Sequence, residues 1–90
     1  MADTHLMLYK YVEDIAERRT PFRPAHLEHI KTAKDAGQML IAGAFGDPVA
    51  GGAFGFTGLT RAEVEAWSDA DPYFVNGLVV ERLIEPWNLV

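Results

Sequence analysis

Three observations predict an α+β fold with the element order β-α-β-β-α-β. Short apolar stretches of strand-like composition alternate with amphipathic segments of helical period. The two middle apolar stretches follow one another directly through a turn signal, and Gly or Pro punctuates the boundaries between elements. This order is the split βαβ, or ferredoxin-like, pattern. At 90 residues the chain is expected to form a single domain, residues 1–90.

Taken in order, Thr4 to Tyr11 (THLMLYKY) reads as a strand, apolar and aromatic with one internal charge. Val12 to Arg19 is charged and suits a short helical turn or loop. Thr20-Pro21 reads as a cap followed by a first-turn proline, with Pro24 still tolerable there. The first helix then runs through His26, Ile30 and Ala33 to Gly37, which suits a left-handed stop. Met39 to Phe45 (MLIAGAF) and Gly52 to Thr57 (GAFGFT) are the second and third strands, joined through Gly46-Asp47-Pro48. Thr60-Arg61-Ala62-Glu63 is a capping box, opening a second helix with Val64, Trp67 and Ala70 on its buried side. Asp71-Pro72 interrupts that helix. Gly77 precedes the last strand, Leu78 to Ile84, and Pro86-Trp87 lie in the tail.

The strands carry a second message. Leu6 and Leu8 share one face of the first strand, while Met7, Tyr9 and Tyr11 share the other. In the second strand Met39, Ile41 and Phe45 alternate with Leu40, Ala42 and Ala44, so both sets are apolar. A sheet with one solvated face should alternate apolar with polar residues. Two helices cover one face only, so the other is expected to meet the same sheet of a second copy, giving a homodimer.

Composition narrows the function. The formal net charge is −5 and no basic block occurs, which argues against nucleic acid and anionic membrane partners. Cysteine is absent, excluding disulfides, thiol nucleophiles and cysteine-bound metals. The first twenty residues carry Asp3, Glu13, Asp14 and Glu17 and hold no apolar run long enough for a signal peptide or membrane span, so a cytoplasmic location is expected.

One residue stands out on the first helix. Taking about 100° per residue with His26 as zero, Phe22 falls near −40°, Ala33 near −20°, Ile30 near +40° and Leu27 near +100°, with Glu28, Lys31 and Asp35 opposite. His26 therefore sits within the inward stripe, where both ring nitrogens need partners or water. Arg23, at about +60° on the same count, points the same way. A polar cavity lined by His26 satisfies this pattern; a hydrogen-bonded core or interface histidine also does. Imidazole in a cavity is a natural proton acceptor and donor, and works best when a carboxylate fixes its tautomer. Asp71, at the proline-enforced break, is a candidate for that carboxylate, and Asp69 competes with it. Arg19 and Arg23 suit an anionic substrate group, unless Arg23 pairs with Glu17 or a carboxylate of the second helix. Tyr73 can donate a hydrogen bond to a ligand or stack on it, or can simply pack, as can Trp67. The small residues Ala42, Gly43 and Ala44 leave space against the sheet. His26-x-x-His29 lacks a third ligand at motif spacing, so no metal is expected. The glycines between 43 and 58 join strands instead of entering a helix, unlike a phosphate loop.

The run Arg18-Arg19 to Arg23-Pro24-Ala25-His26-Leu27, with Asp71-Pro72-Tyr73 and Gly77-Leu78 further on, resembles the YciI-like (YCII-related) proteins. Ala42-Gly43 and Pro86-Trp87 also fit, so the similarity spans nearly the whole chain. The resemblance implies a dimeric α+β barrel, related in shape to muconolactone isomerases and small cofactor-free monooxygenases. It also implies a His–Asp dyad at His26 and Asp71, with arginines at Arg19 and Arg23. Where many relatives have Ala-Gly-Pro this chain has Ala42-Gly43-Ala44, which reshapes the cavity wall. A minority of the family is linked to lyase-type chemistry such as loss of chloride from chlorinated aromatic diols, and a shared fold does not transfer a reaction.

These readings converge on a small cofactor-independent enzyme, a lyase or isomerase acting on a small anionic or phenolic compound. His26 serves as base and then acid, and Asp71 orients it. Arg19 or Arg23 binds the anion, and Tyr73 or backbone donors stabilise the developing negative charge. The alternative is a non-catalytic dimeric module that binds a small molecule.

Overall fold

In a computed structural model that describes residues 3–90, the chain forms four strands and four helical segments. They are β1 (Thr4–Tyr11), α1 (Ile15–Arg18), α2 (Arg23–Asp35), β2 (Met39–Phe45), β3 (Gly51–Thr57), α3 (Arg61–Asp69), α4 (Pro72–Val75) and β4 (Val79–Pro86). The strands make one antiparallel sheet in the order β2-β3-β1-β4. Thus α2 carries the chain from β1 across β3 to β2, while α3 and α4 carry it from β3 across β1 to β4. This is the ferredoxin-like arrangement the element order predicts.

The helices lie on one face of the sheet. There Met7, Tyr9 and Tyr11 of β1, Phe54 and Phe56 of β3 and Ile84 of β4 are buried against Ile15, Ala33, Val64 and Leu78. The opposite face carries Leu6 and Leu8 half-buried and Ile41, Phe45 and Leu83 exposed at 61%, 47% and 48%. It is a largely apolar surface that, among the described residues, no helix covers. Phe45 and Trp87 lie over Gly51 and Gly55, where a Cβ would meet their rings at 2.5 and 3.1 Å.

Three local expectations need correction. The first long helix begins at Arg23 with Phe22 as its cap, and no side chain caps it. Thr20-Pro21 instead belongs to a tight turn closed by the Phe22 amide on the Arg19 carbonyl at 2.9 Å. Pro24 explains the late start, because it has no N–H to give to Thr20 and is free of that demand only within the first turn. Met39 is not on the face of Ile41 and Phe45. An irregularity between Met39 and Ile41 inserts an extra residue and turns Met39 inward opposite Phe56, beside Ala42 and Ala44. Ala70 is exposed, and Ser68, one turn beyond Val64, takes the buried place in α3. The capping box at Thr60 and Glu63 forms in both directions, and Gly37 stops α2 at φ +73°.

Candidate active site

Asp71 is the centre around which the site is assembled. As the cap of α4 it accepts the Tyr73 amide on Oδ1 at 3.2 Å, which fixes its carboxyl at the break between α3 and α4. The same oxygen lies 2.7 Å from His26 Nδ1, reaching across from α2. Its other oxygen accepts the Tyr9 hydroxyl of β1 at 3.0 Å. Asp71 is fully buried, and these three donors replace the water it has lost. Asp69, two residues earlier, turns outward and binds Arg82 at 2.7 Å. Between the two candidate acids, the fold selects Asp71.

The polar chain continues behind Asp71. Tyr9 Oη is 2.8 Å from Ser68 Oγ, and Arg82 Nη1 donates to Ser68 Oγ at 3.1 Å. Since the single Tyr9 proton goes to Asp71, the Ser68 hydroxyl donates to Tyr9. Every donor in the series Arg82, Ser68, Tyr9 therefore points toward the carboxylate, a polarised network in a dry setting. Arg82 lies opposite Tyr9 across the β1–β4 register, 4.5 Å above the Phe74 ring, and its outer side meets Asp69 and Glu65.

An ionised carboxylate only accepts, so His26 Nδ1 carries the proton and Nε2 is the basic nitrogen. The ring is clamped. It stacks parallel on Tyr73, with centroids 3.6 Å apart and planes within 4°, and meets Phe54 edge-on at 6.4 Å. Tyr73 thus gives one ring face to His26 and not to a ligand. Its hydroxyl is buried and has no hydrogen-bond partner among the described residues. His29, one turn on, donates Nε2–H to the Trp67 carbonyl at 2.9 Å and stacks on that indole, tying α2 to α3.

His26 and Tyr73 form part of the wall of a cavity of about 240 Å³ between α2 and β2. Arg19 and Arg23 line it, together with Ala42, Gly43 and Ala44. Tyr11 and Lys34, which sequence reasoning passed over, line it too. No acidic residue does, and among the described residues Arg19, Arg23 and Lys34 have no carboxylate within 4.0 Å. The expected pairing of Arg23 with Glu17 or the second helix is therefore not formed. No group of His, Asp and Glu able to hold a metal occurs among the described residues. No helix there is long and apolar enough to cross a membrane.

Burial, reinforced by the charge of Asp71, holds the Tyr9 and Tyr11 hydroxyls protonated well above the ordinary tyrosine range. The unfolded chain gives up these protons first, near pH 10. Stability present below that pH is therefore lost as pH rises toward the native values, by about 1.4 kcal/mol per pH unit for each tyrosine. Urea midpoints should fall steeply above about pH 10, and Tyr9→Phe should flatten that fall. A midpoint indifferent to pH in this range would contradict the buried placement.

Comparison with known proteins gives a consistent assignment. The YCII-related domain family matches residues 4–88. Protein YciI of Escherichia coli O6:H1 is 40% identical, the alignment covering 93% of this chain and 99% of that protein. Protein YciI of Shigella flexneri matches to the same extent. Among solved structures, 5-chloro-2-hydroxyhydroquinone dehydrochlorinase from Burkholderia phenoliruptrix, in complex with 2,5-dihydroxybenzoquinone, superposes with a TM-score of 0.81. That match covers 94% of this chain and 93% of the other at 19% identity, a likeness of fold. The chain, with its ferredoxin-like sheet and near full-length match, belongs to the YCII-related domain family.

Proposed function

We propose that this protein is a small cofactor-independent enzyme of lyase or isomerase type, moving a proton on a small anionic or phenolic compound. The observation that carries this reading is the 2.7 Å bond from His26 Nδ1 to Asp71 beside a cavity bearing only cationic charge. It leaves Nε2 as the basic nitrogen of a ring held rigid on one face. In the proposed reaction Nε2 takes a proton from an O–H or C–H of the substrate, and Asp71 stabilises the imidazolium that forms. Arg19 and Arg23 hold the substrate's anionic group and stabilise the developing enolate or phenolate, whereas the Tyr73 hydroxyl is sealed from the cavity and Tyr73 acts by holding the imidazole. For a lyase, the electron pair so released expels a leaving group from a neighbouring carbon. The dehydrochlorinase that shares the fold works on a hydroxylated ring of this kind, as its name states.

The test has two stages. Hydroxylated benzoic acids, lactones and 5-chloro-2-hydroxyhydroquinone are first screened for shifts of the His26 ring signals by NMR, and then for turnover. Replacing His26 by Gln should lower turnover about 10²- to 10⁴-fold with the far-UV circular dichroism unchanged. Full turnover in that variant, or ring signals indifferent to every compound, would remove the mechanism.

We also propose that a second copy covers the open sheet face. Two apolar depressions lie on it, one lined by Leu8, Phe45 and Leu83 and the other by Leu6, Ile41 and Trp87. Surfaces of this size and polarity are seldom left in water, and a two-fold axis would set each depression against the side chains rimming the other.

A further inference from the structure

The cavity beside His26 has cations at both of its ends. Arg23 and Lys34 stand about three turns apart on α2 and hence on the same face, their Cα atoms separated by about 16 Å of helix rise. Arg19 joins Arg23 at one end, and Lys34 stands alone at the other. Between them the wall carries the His26 imidazole near one end and is otherwise mostly apolar, with Leu27 and Ile30 from α2, Ala42 and Ala44 from β2 and Phe54 from β3. No carboxylate interrupts this lining, in a chain whose net charge is −5. Arg23 and Lys34 are exposed and far enough apart for solvent to screen them from each other, and the fold supplies a counter-ion at neither end of the cavity. A ligand with one anionic group would pair with only one end.

We infer that the substrate is a dianion, carrying two carboxylate-like groups at opposite ends of a short apolar body. This rests on the reading of the cavity as the substrate site and adds Lys34 as the residue that selects for the second charge. His26 lies one turn from Arg23 and two turns from Lys34. The reacting end is therefore the one held by Arg19 and Arg23, and Lys34 grips the remote end, where binding energy positions the substrate without touching the chemistry. A cavity of about 240 Å³ suits a small body such as a short chain or a single ring.

The test is a matched series measured by calorimetry: succinate, adipate, suberate and terephthalate against the monocarboxylates butyrate, hexanoate, octanoate and benzoate. At the best length the dianion should bind about two- to fivefold more tightly than its monoanion, the worth of one ion pair at an exposed lysine. Lys34→Gln, at an exposed position, should erase that advantage and leave monocarboxylate binding within about twofold. Arg23→Gln should weaken both classes. Dicarboxylates that bind no better than monocarboxylates at any length, or a Lys34→Gln variant that weakens both classes equally, would overturn the inference. Repeating the series in His26→Gln separates the two readings. Retained selectivity there supports the dianion site whatever becomes of turnover, and selectivity lost with the imidazole would assign the second charge to His26 instead of Lys34.

Discussion

Replacing Asp71 by Ala is expected to destabilise the fold by about 3–5 kcal/mol and to abolish turnover. The stability loss comes from what is left behind: the Tyr9 hydroxyl, the Tyr73 amide and the His26 Nδ1–H all lose their acceptor in a place water does not reach. Asp71→Asn separates structure from chemistry. The amide oxygen can still take the Tyr73 and His26 protons, and its NH₂ can donate to Tyr9, whose hydroxyl then reorients, so the loss should be only about 1–2 kcal/mol. Turnover should nevertheless fall about 10²- to 10⁴-fold, because the imidazolium would face a neutral group. Asp69→Asn is the control, since among the described residues the Asp69 carboxylate pairs with Arg82 alone, from an exposed position, and the change should alter stability by less than about 1 kcal/mol. Chemical denaturation with turnover on the same samples decides the matter. An Asp71→Asn enzyme of full activity, or an Asp71→Ala chain as stable as the native one, would refute the account.

If a second copy covers the open sheet face as proposed, Ile41→Lys should convert that dimer to a monomer. The side chain is 61% exposed on the edge strand β2 of the open face, beside Gly55 and the Trp87 ring. In a two-fold interface the new ammonium would be buried twice, without a partner. Dissociation should become easier by about 10³-fold or more, from a cost of several kcal/mol for each unpaired charge. The site lies on the other face of the sheet, so His26 and Asp71 should keep their NMR signatures. Sedimentation equilibrium on both chains is the measurement. A native chain that sediments as a monomer at high concentration would sink the dimer itself.

How legible the protein was in its sequence varied from residue to residue for physical reasons. The capping box at Thr60 and Glu63 and the stop at Gly37 are local chemistry, complete within a few residues, and both form as expected. The inward place of His26 is a matter of helical period and is equally local. The start of α2 was misread because Thr20-Pro21 and Pro24 are each acceptable first-turn signals, and only the missing N–H of Pro24 decides between them. Met39 was misplaced because strict alternation cannot anticipate a bulge.

The sequence by itself determined the order of elements, the inward histidine, and an acid at a proline break able to reach it. The apolar character of both sheet faces is also written in the alternation of β1 and β2. The tertiary structure decided which partners those groups take. Tyr9 and Arg82 become neighbours only through the β1–β4 register, and Ser68 joins them only because α3 packs its buried edge there. Asp71 prevails over Asp69 because the cap of α4 turns one carboxylate inward and the preceding turn sends the other to solvent. Lys34 enters the cavity because about three helical turns return it to the face of Arg23. Period and capping act over one or two turns and are written in the chain, whereas a hydrogen-bonded network needs atoms from distant segments within about 3 Å, and only packing sets that distance.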